Sequence, residues 1–303
     1  MKQERNALCS CGSGIKYKYC HMKLENSDET DKLDVAKKIY LKQWSKNSNY
    51  FYENKYYNWM AKQLSKYKPK KIFDVGTGTG LGVIELYNKF KCEEIHIVSI
   101  DENIECLKAA KPEIFTATDY NPEIISRLSV DHLGPLHAYS YSSIEYSSKD
   151  KIVLIESDIL TEPCLDDIID CSGQFDAITV WLIGTHEHRY TCAQIGNRIS
   201  SSGEYRLRVQ NKVYEFADKS LRNGGVLQIV DRGESPKSDV LKNDFINAHR
   251  DQASITSLKV EELNFIDYEE LSTGIRIELT PGISGRLPTN LQHSLISVIS
   301  VKP

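Results

Sequence analysis

From residue 70 onward, short apolar runs recur, each closing on an acid or a glycine and each followed by polar or helically spaced sequence. Ile72-Phe73-Asp74-Val75 leads into Gly76, Gly78, Gly80 and Gly82, after which Val83, Ile84, Tyr87 and Phe90 fall on one helical stripe. Residues 95–100 end on Asp101, residues 152–155 precede Asp158, and residues 175–183 end on Gly184. Residues 114–118 have the same look, a strand before Asp119 with a helix starting at Pro122. Val213, Phe216, Ala217 and Leu221 make a helical stripe stopped by Asn223-Gly224-Gly225; residues 226–231, 258–268 and 294–303 supply the remaining strands. Unbroken apolar runs separated by helices are the pattern of a mostly parallel sheet covered on both faces, an α/β fold.

Upstream the pattern is helical. Ala36, Tyr40 and Trp44 share a face of a helix beginning near Leu33, Asn47-Ser48-Asn49 breaks it, and a second helix runs to about Tyr67. The polar stretch 25–31 reads as a flexible link or a helix start. The Ser- and Tyr-rich stretch 140–148 reads as a solvated insertion. Three units are expected: residues 1–24, a helical cover segment over 25–69, and the α/β domain over 70–303.

The glycine turn carries the first candidate chemistry. Glycine lets a ligand approach the main chain, and the amides opening the next helix face whatever lies on the loop. Asp74 followed by alternating glycines differs from the G-x-G-x-x-G spacing of dinucleotide folds. The segment resembles motif I of the class I S-adenosylmethionine (SAM) dependent methyltransferases. That resemblance implies a Rossmann-like fold, a seven-stranded, mostly parallel sheet whose last two strands pair antiparallel at one edge. It also implies a SAM site built from Asp74, Gly76, Thr77, Gly78 and Gly80. Asp101, with Asp119 as runner-up, would hold the ribose, and Asp158 would meet the adenine. Trp181, which closes the fourth strand where the methyl acceptor would lie, is counted among the SAM-binding residues as well. Just beyond it, Thr185-His186-Glu187-His188-Arg189 offers His186, then His188, as a base, and Arg189 as a clamp on an acidic substrate. The tetrapeptide of base N-methyltransferases is absent, since Trp181-Leu182-Ile183-Gly184 stands there. Pro163-Cys164 follows the third strand rather than the fourth, which disfavours cytosine C5 chemistry. An O or N acceptor on a small molecule, protein or RNA remains.

The amino terminus carries an independent signal. Cys9, Cys11, Cys20 and His21 place three thiols and an imidazole within thirteen residues, with Gly12 and Gly14 permitting a tight turn. Such a donor set suits tetrahedral zinc. The run closely resembles the SEC-C motif of the SecA translocase tail, and the resemblance implies those four residues as ligands. So short a segment needs metal to fold. No apolar segment precedes these cysteines, and Cys92, Cys106, Cys164, Cys171 and Cys192 are scattered, so reduced thiols and a cytoplasmic setting are expected.

Charge divides the chain. Residues 1–72 hold sixteen Lys and Arg against seven Asp and Glu, whereas the rest holds 22 against 35. With aromatic rings interleaved at Lys16-Tyr17-Lys18-Tyr19 and over 50–59, the basic third suits an acidic protein or RNA partner; for 50–68 an amphipathic helix face is the favoured reading. No run of eighteen apolar residues exists, so no membrane span is expected. Two functions fit: a SAM-dependent methyltransferase whose zinc module recruits or covers substrate, and a non-catalytic adaptor that docks through that module.

Overall fold

The computed structural model describes residues 3–11, 13–91, 94–195, 199, 201–271, 275 and 292–303; Gly12 and Cys92 lie outside them. Among these the central sheet has eight strands. They are β1 (Lys71–Val75), β2 (His96–Asp101), β3 (Glu123–Ser126), β6 (Ile152–Glu156), β7 (Phe175–Trp181), β8 (Leu221–Glu234), β9 (Lys259–Tyr268) and β10 (His293–Val301). Their order is β3-β6-β2-β1-β7-β8-β10-β9, parallel throughout except that β10 runs antiparallel to both β8 and β9. This is the expected Rossmann-like class I methyltransferase arrangement with one strand more. Its central strands are buried on both faces, as their unbroken apolar runs require.

Helices cover both faces. On one lie α2 (Glu29–Glu53), α3 (Tyr56–Gln63), α4 (Leu81–Phe90) and α5 (Ile104–Thr118), around Met60, Leu64, Ile84, Leu86 and Leu107. On the other lie α6 (Leu165–Ser172), α7 (Ser202–Ser220) and α8 (Asp239–Ala253), around Ile168, Val213, Phe216 and Phe175. The stripe on α4 is buried at all four expected positions. Leu221 instead begins β8, because α7 ends at Ser220.

Two sequence expectations are corrected. Asn47 and Ser48 do not break α2, because tertiary partners satisfy the side chains that would otherwise compete with helix backbone. Asn47 exchanges two hydrogen bonds with the main chain of Ile275, at 3.0 and 2.8 Å. Ser48 Oγ lies 2.6 Å from Thr79 Oγ1 of the glycine turn and 3.1 Å from Tyr57 Oη. The helix breaks later, at Asn54 and Lys55, where Lys55 adopts φ 63°. Residues 114–118 are the last turn of α5, not a strand, and Asp119 is its left-handed C-cap, at φ 55°. Asn103 starts that helix by accepting a hydrogen bond from the Glu105 amide at 3.1 Å. The extra edge strand β3 follows Pro122, so Pro122 opens no helix. Residues 142–148 of the polar stretch form no strand or helix, as expected, while the residues just before it are ordered: β4 (Leu128–Leu133) and β5 (Leu136–Tyr141) form a hairpin that takes in only the first two positions of that stretch. That hairpin is stitched to the segment after β7 by Ala193 N–H to His137 O at 2.7 Å and Tyr139 N–H to Gln194 Oε1 at 2.7 Å.

At the amino terminus, α1 (His21–Glu25) and the loop before it rest on α2. Cys9, Cys20 and Leu24 pack with Ala36 and Ile39, and Lys46 Nζ donates to Ser13 O at 2.5 Å. Among the described residues no helix is long and apolar enough to cross a membrane.

Candidate functional site

The register of the parallel strands builds the floor of the site. Asp74 of β1 stands opposite Ser99 of β2 and Thr179 of β7. Its buried carboxylate accepts from both hydroxyls, at 2.7 and 2.6 Å, and thereby ties three strand ends together. Burial pushes its pKa up to about 6 against these bonds. Thr77 is turned the same way, its hydroxyl 2.7 Å from Ser99 Oγ. Gly76 N–H and Thr77 N–H both reach Ile100 O, at 2.8 and 3.2 Å, so the turn wraps the end of β2. Gly78, at φ 54°, has no room for a side chain: a Cβ there would lie 2.6 Å from Trp44 Nε1. Gly80 caps α4 and packs on Ala110 of α5.

Above this floor a cleft is walled by Gly76, Gly78 and Asp101, by Asp158 and Ile159, by 181–186, and by Tyr205 and Val209. Tyr40 and Trp44 of α2 cover it. The structure therefore brings Gly76, Gly78, Asp101, Asp158, Trp181 and His186 to one place. Asp74, Thr77 and Gly80 frame it from below, and Asp119, capping α5, is not among its walls. Asp101 accepts from Gly78 N–H and Asn103 N–H, both at 2.9 Å. Burial, and next the Glu102 carboxylate, push its pKa up to about 7.

The segment after β7 departs most from expectation. His186 is buried, with Nε2 3.0 Å from Glu102 Oε1, and Lys37 Nζ lies 3.2 Å from the other oxygen of that carboxylate. Burial opposes ionisation of Glu102, but Lys37 and His186 hold its carboxyl well below the usual range. Glu102 was not foreseen, since its neighbour Asp101 took the role the family pattern gives an acid there. Arg189 is fully buried and ion-paired to Asp158, with its guanidinium 5.2 Å from the ring of Tyr139 and 5.9 Å from that of Tyr205. Asp158 is further bonded by Leu160 N–H at 3.0 Å and Thr161 Oγ1 at 2.7 Å. Arg189 is thus committed to holding Asp158. His188 stacks on His137, ring centroids 6.4 Å apart, and burial lowers its pKa.

Removing one partner of a buried ion pair leaves the other charge uncompensated, at about 3–5 kcal/mol. Arg189→Met is therefore expected to lower the unfolding free energy by about that amount, read by chemical denaturation. An unchanged midpoint would contradict the structural role.

A second cleft adjoins the first, sharing Tyr40, Thr185 and His186; Cys11, His21 and Leu24 wall its far side. There Cys9, Cys11, Cys20 and His21 bring their donor atoms within 4.8 Å of one another. Cys11 and Cys20 Sγ are 3.6 Å apart, close to the roughly 3.8 Å edge of a tetrahedron with 2.3 Å zinc–sulfur bonds. His21 turns Nδ1 inward, 3.2 Å from both Cys9 and Cys20 Sγ. Three thiols and one imidazole in this geometry fit zinc. The other described cysteines are unpaired thiols.

Residues 5–23 match the SEC-C motif. No curated protein matches the chain. Among solved structures it is similar to the N-methyltransferase NodS from Bradyrhizobium japonicum, in complex with S-adenosyl-L-homocysteine, at 11% identity and TM-score 0.43 over 83% of this chain and 88% of that one. It is similar also to TrmN from Thermus thermophilus, at 10% identity and TM-score 0.44 over 81% of this chain and 48% of that one. With its strand order, its glycine turn and its cysteine cluster, the chain joins an N-terminal SEC-C motif to a body with the class I methyltransferase fold.

Proposed function

We propose that the protein transfers a methyl group from SAM to an O or N acceptor, with zinc in the N-terminal motif. The observation that carries this reading is convergence: the glycine turn, Asp101 at the end of β2, and His186 after β7 meet in one cleft beneath α2. SAM supplies an already activated sulfonium methyl, so the chain must hold, orient and exclude water. Asp101 accepts hydrogen bonds from the ribose hydroxyls, Gly76 and Gly78 carry no side chain but lie under Ile183 and Trp44, which must move aside for the cofactor to reach the main chain, and Tyr40 and Trp44 shut out solvent. His186 takes the acceptor's proton at Nδ1, while Glu102 lies against the ring and balances the imidazolium.

The acceptor enters through the second cleft, beside the zinc module. With Arg189 bound to Asp158, no Lys or Arg lines that cleft among the described residues, and its carboxylate, Glu187, is already paired with His21. This favours a neutral or amine-bearing acceptor over a phosphate or carboxylate. Residues 1–24 and the basic helices to residue 69 recruit the molecule that carries it, an acidic protein or RNA, and residues 70–303 perform the transfer.

Calorimetry with SAM tests the cofactor site. Charged hydrogen bonds are worth about 1.5–3 kcal/mol, so Asp101→Ala should weaken binding about 10- to 100-fold. The ionised carboxylate is the acceptor, so affinity should rise with pH through about 7 and level off above it, a slope that Asp101→Asn should lack. The same raised pKa makes the SAM-free protein lose stability as pH climbs from about 4 towards 7, because the folded state binds the extra proton. SAM affinity equal in wild type and Asp101→Ala would sink the assignment.

A further inference from the structure

His21 and Glu187 stand 166 positions apart in sequence, yet His21 Nε2 lies 2.9 Å from Glu187 Oε2. The other nitrogen, Nδ1, faces the thiols of Cys9 and Cys20. A metal on Nδ1 leaves the ring's only proton on Nε2, so the imidazole must donate and the carboxylate must accept. Carboxylates that take this proton fix the ring and raise its basicity, and losing one commonly costs 10- to 100-fold in metal affinity. From this geometry we propose that Glu187 is the outer partner of the zinc site, and that through it zinc occupancy sets the cofactor cleft.

The path is short and continuous. Glu187 follows His186, which lines both clefts, and Thr185 and Tyr40 are likewise shared. Tyr40 Oη lies against Gly184, where a Cβ would come within 2.5 Å, so the tyrosine fits only while that loop keeps its place. The motif also grips the helix that carries Tyr40 and Trp44. Gln43 Nε2 is 3.4 Å from Cys11 Sγ, and Lys46 Nζ bonds Ser13 O. Metal release therefore frees the loop on one side of the cofactor cleft and loosens α2 on another. Because coupling between two binding sites is reciprocal, SAM must tighten zinc by the factor by which zinc tightens SAM.

The inference rests on the SAM reading above, and the experiment separates the two. In the full-length chain, zinc affinity is measured by competition with a chelating dye, and SAM affinity by calorimetry with zinc present and after its removal. Glu187→Gln should bind zinc about 10- to 100-fold more weakly. Zinc removal should weaken SAM binding about 5- to 150-fold, the usual range of such couplings. Should the zinc-free chain lose its fold, Glu187→Gln at saturating zinc carries the test, with SAM affinity several-fold below wild type. Wild-type zinc affinity in Glu187→Gln overturns the proposal, as does SAM affinity indifferent both to zinc and to that substitution. Failure of the zinc-loaded wild type to bind SAM at all would instead refute the cofactor reading, while the zinc arm still judges Glu187.

Discussion

Cys20→Ser is expected to abolish stoichiometric zinc binding and to unfold the segment from about residue 5 to residue 25. Cys20 is fully buried at the centre of the cluster, its sulfur 3.6 Å from Cys11 Sγ and 3.2 Å from His21 Nδ1. The apolar support of this segment is slight: Cys9, Cys20 and Leu24 on Ala36 and Ile39, with Ile15 and Tyr17 at the side. At about 1.5–3 kcal/mol for each large aliphatic side chain fully buried, these few contacts fall short of the roughly 1–2 kcal/mol of backbone entropy lost per ordered residue. Metal binding, worth about 10–16 kcal/mol in comparable small zinc peptides, closes the gap. Metal content by atomic emission and limited proteolysis together decide the matter. A Cys20→Ser protein that keeps one zinc per chain and a protected amino terminus would show that the four side chains are not the ligands.

His186→Gln should reduce methyl transfer about 100- to 10,000-fold, the usual contribution of a positioned general base, while leaving SAM affinity close to wild type. Glu102 Oε1 lies 3.0 Å from Nε2 as an ion-pair contact, and Nδ1, buried and without a hydrogen-bond partner, is the nitrogen left for the acceptor's proton. Labelled SAM incubated with fractionated lysate identifies the acceptor, and single-turnover rates on it then separate the chemical step from binding. If His186→Gln transfers methyl at the wild-type rate, the acceptor sheds no proton to this residue and the base assignment falls. A parallel Glu102→Gln variant should lose part of the rate, since a neutral amide balances the imidazolium less well.

The strands, their alternation with helices and the glycine turn were legible from residue order, because fully buried parallel strands must be continuous apolar runs. The misreadings share one cause. Residues 114–118 look extended by composition, yet Ile114 is held in α5 by packing on Gly80, 34 positions earlier in the chain. Asn47 and Ser48 look like helix breakers until Ile275, Thr79 and Tyr57 satisfy them. Local preferences of a few tenths of a kcal/mol yield to burial and to hydrogen bonds made over long sequence distances.

What the chain determined by itself is the chemistry available: three thiols and an imidazole at zinc spacing, an alternating-glycine turn behind an aspartate, and acids at strand ends. What only the tertiary structure decided is how those groups are committed. Asp74 holds the sheet, Arg189 holds Asp158, Glu102 lies against His186, and Glu187 reaches the zinc motif. The physical reason is that a buried charge must find its partner in space, and that partner lies wherever the folded sheet brings it, 25 to 105 residues away in sequence.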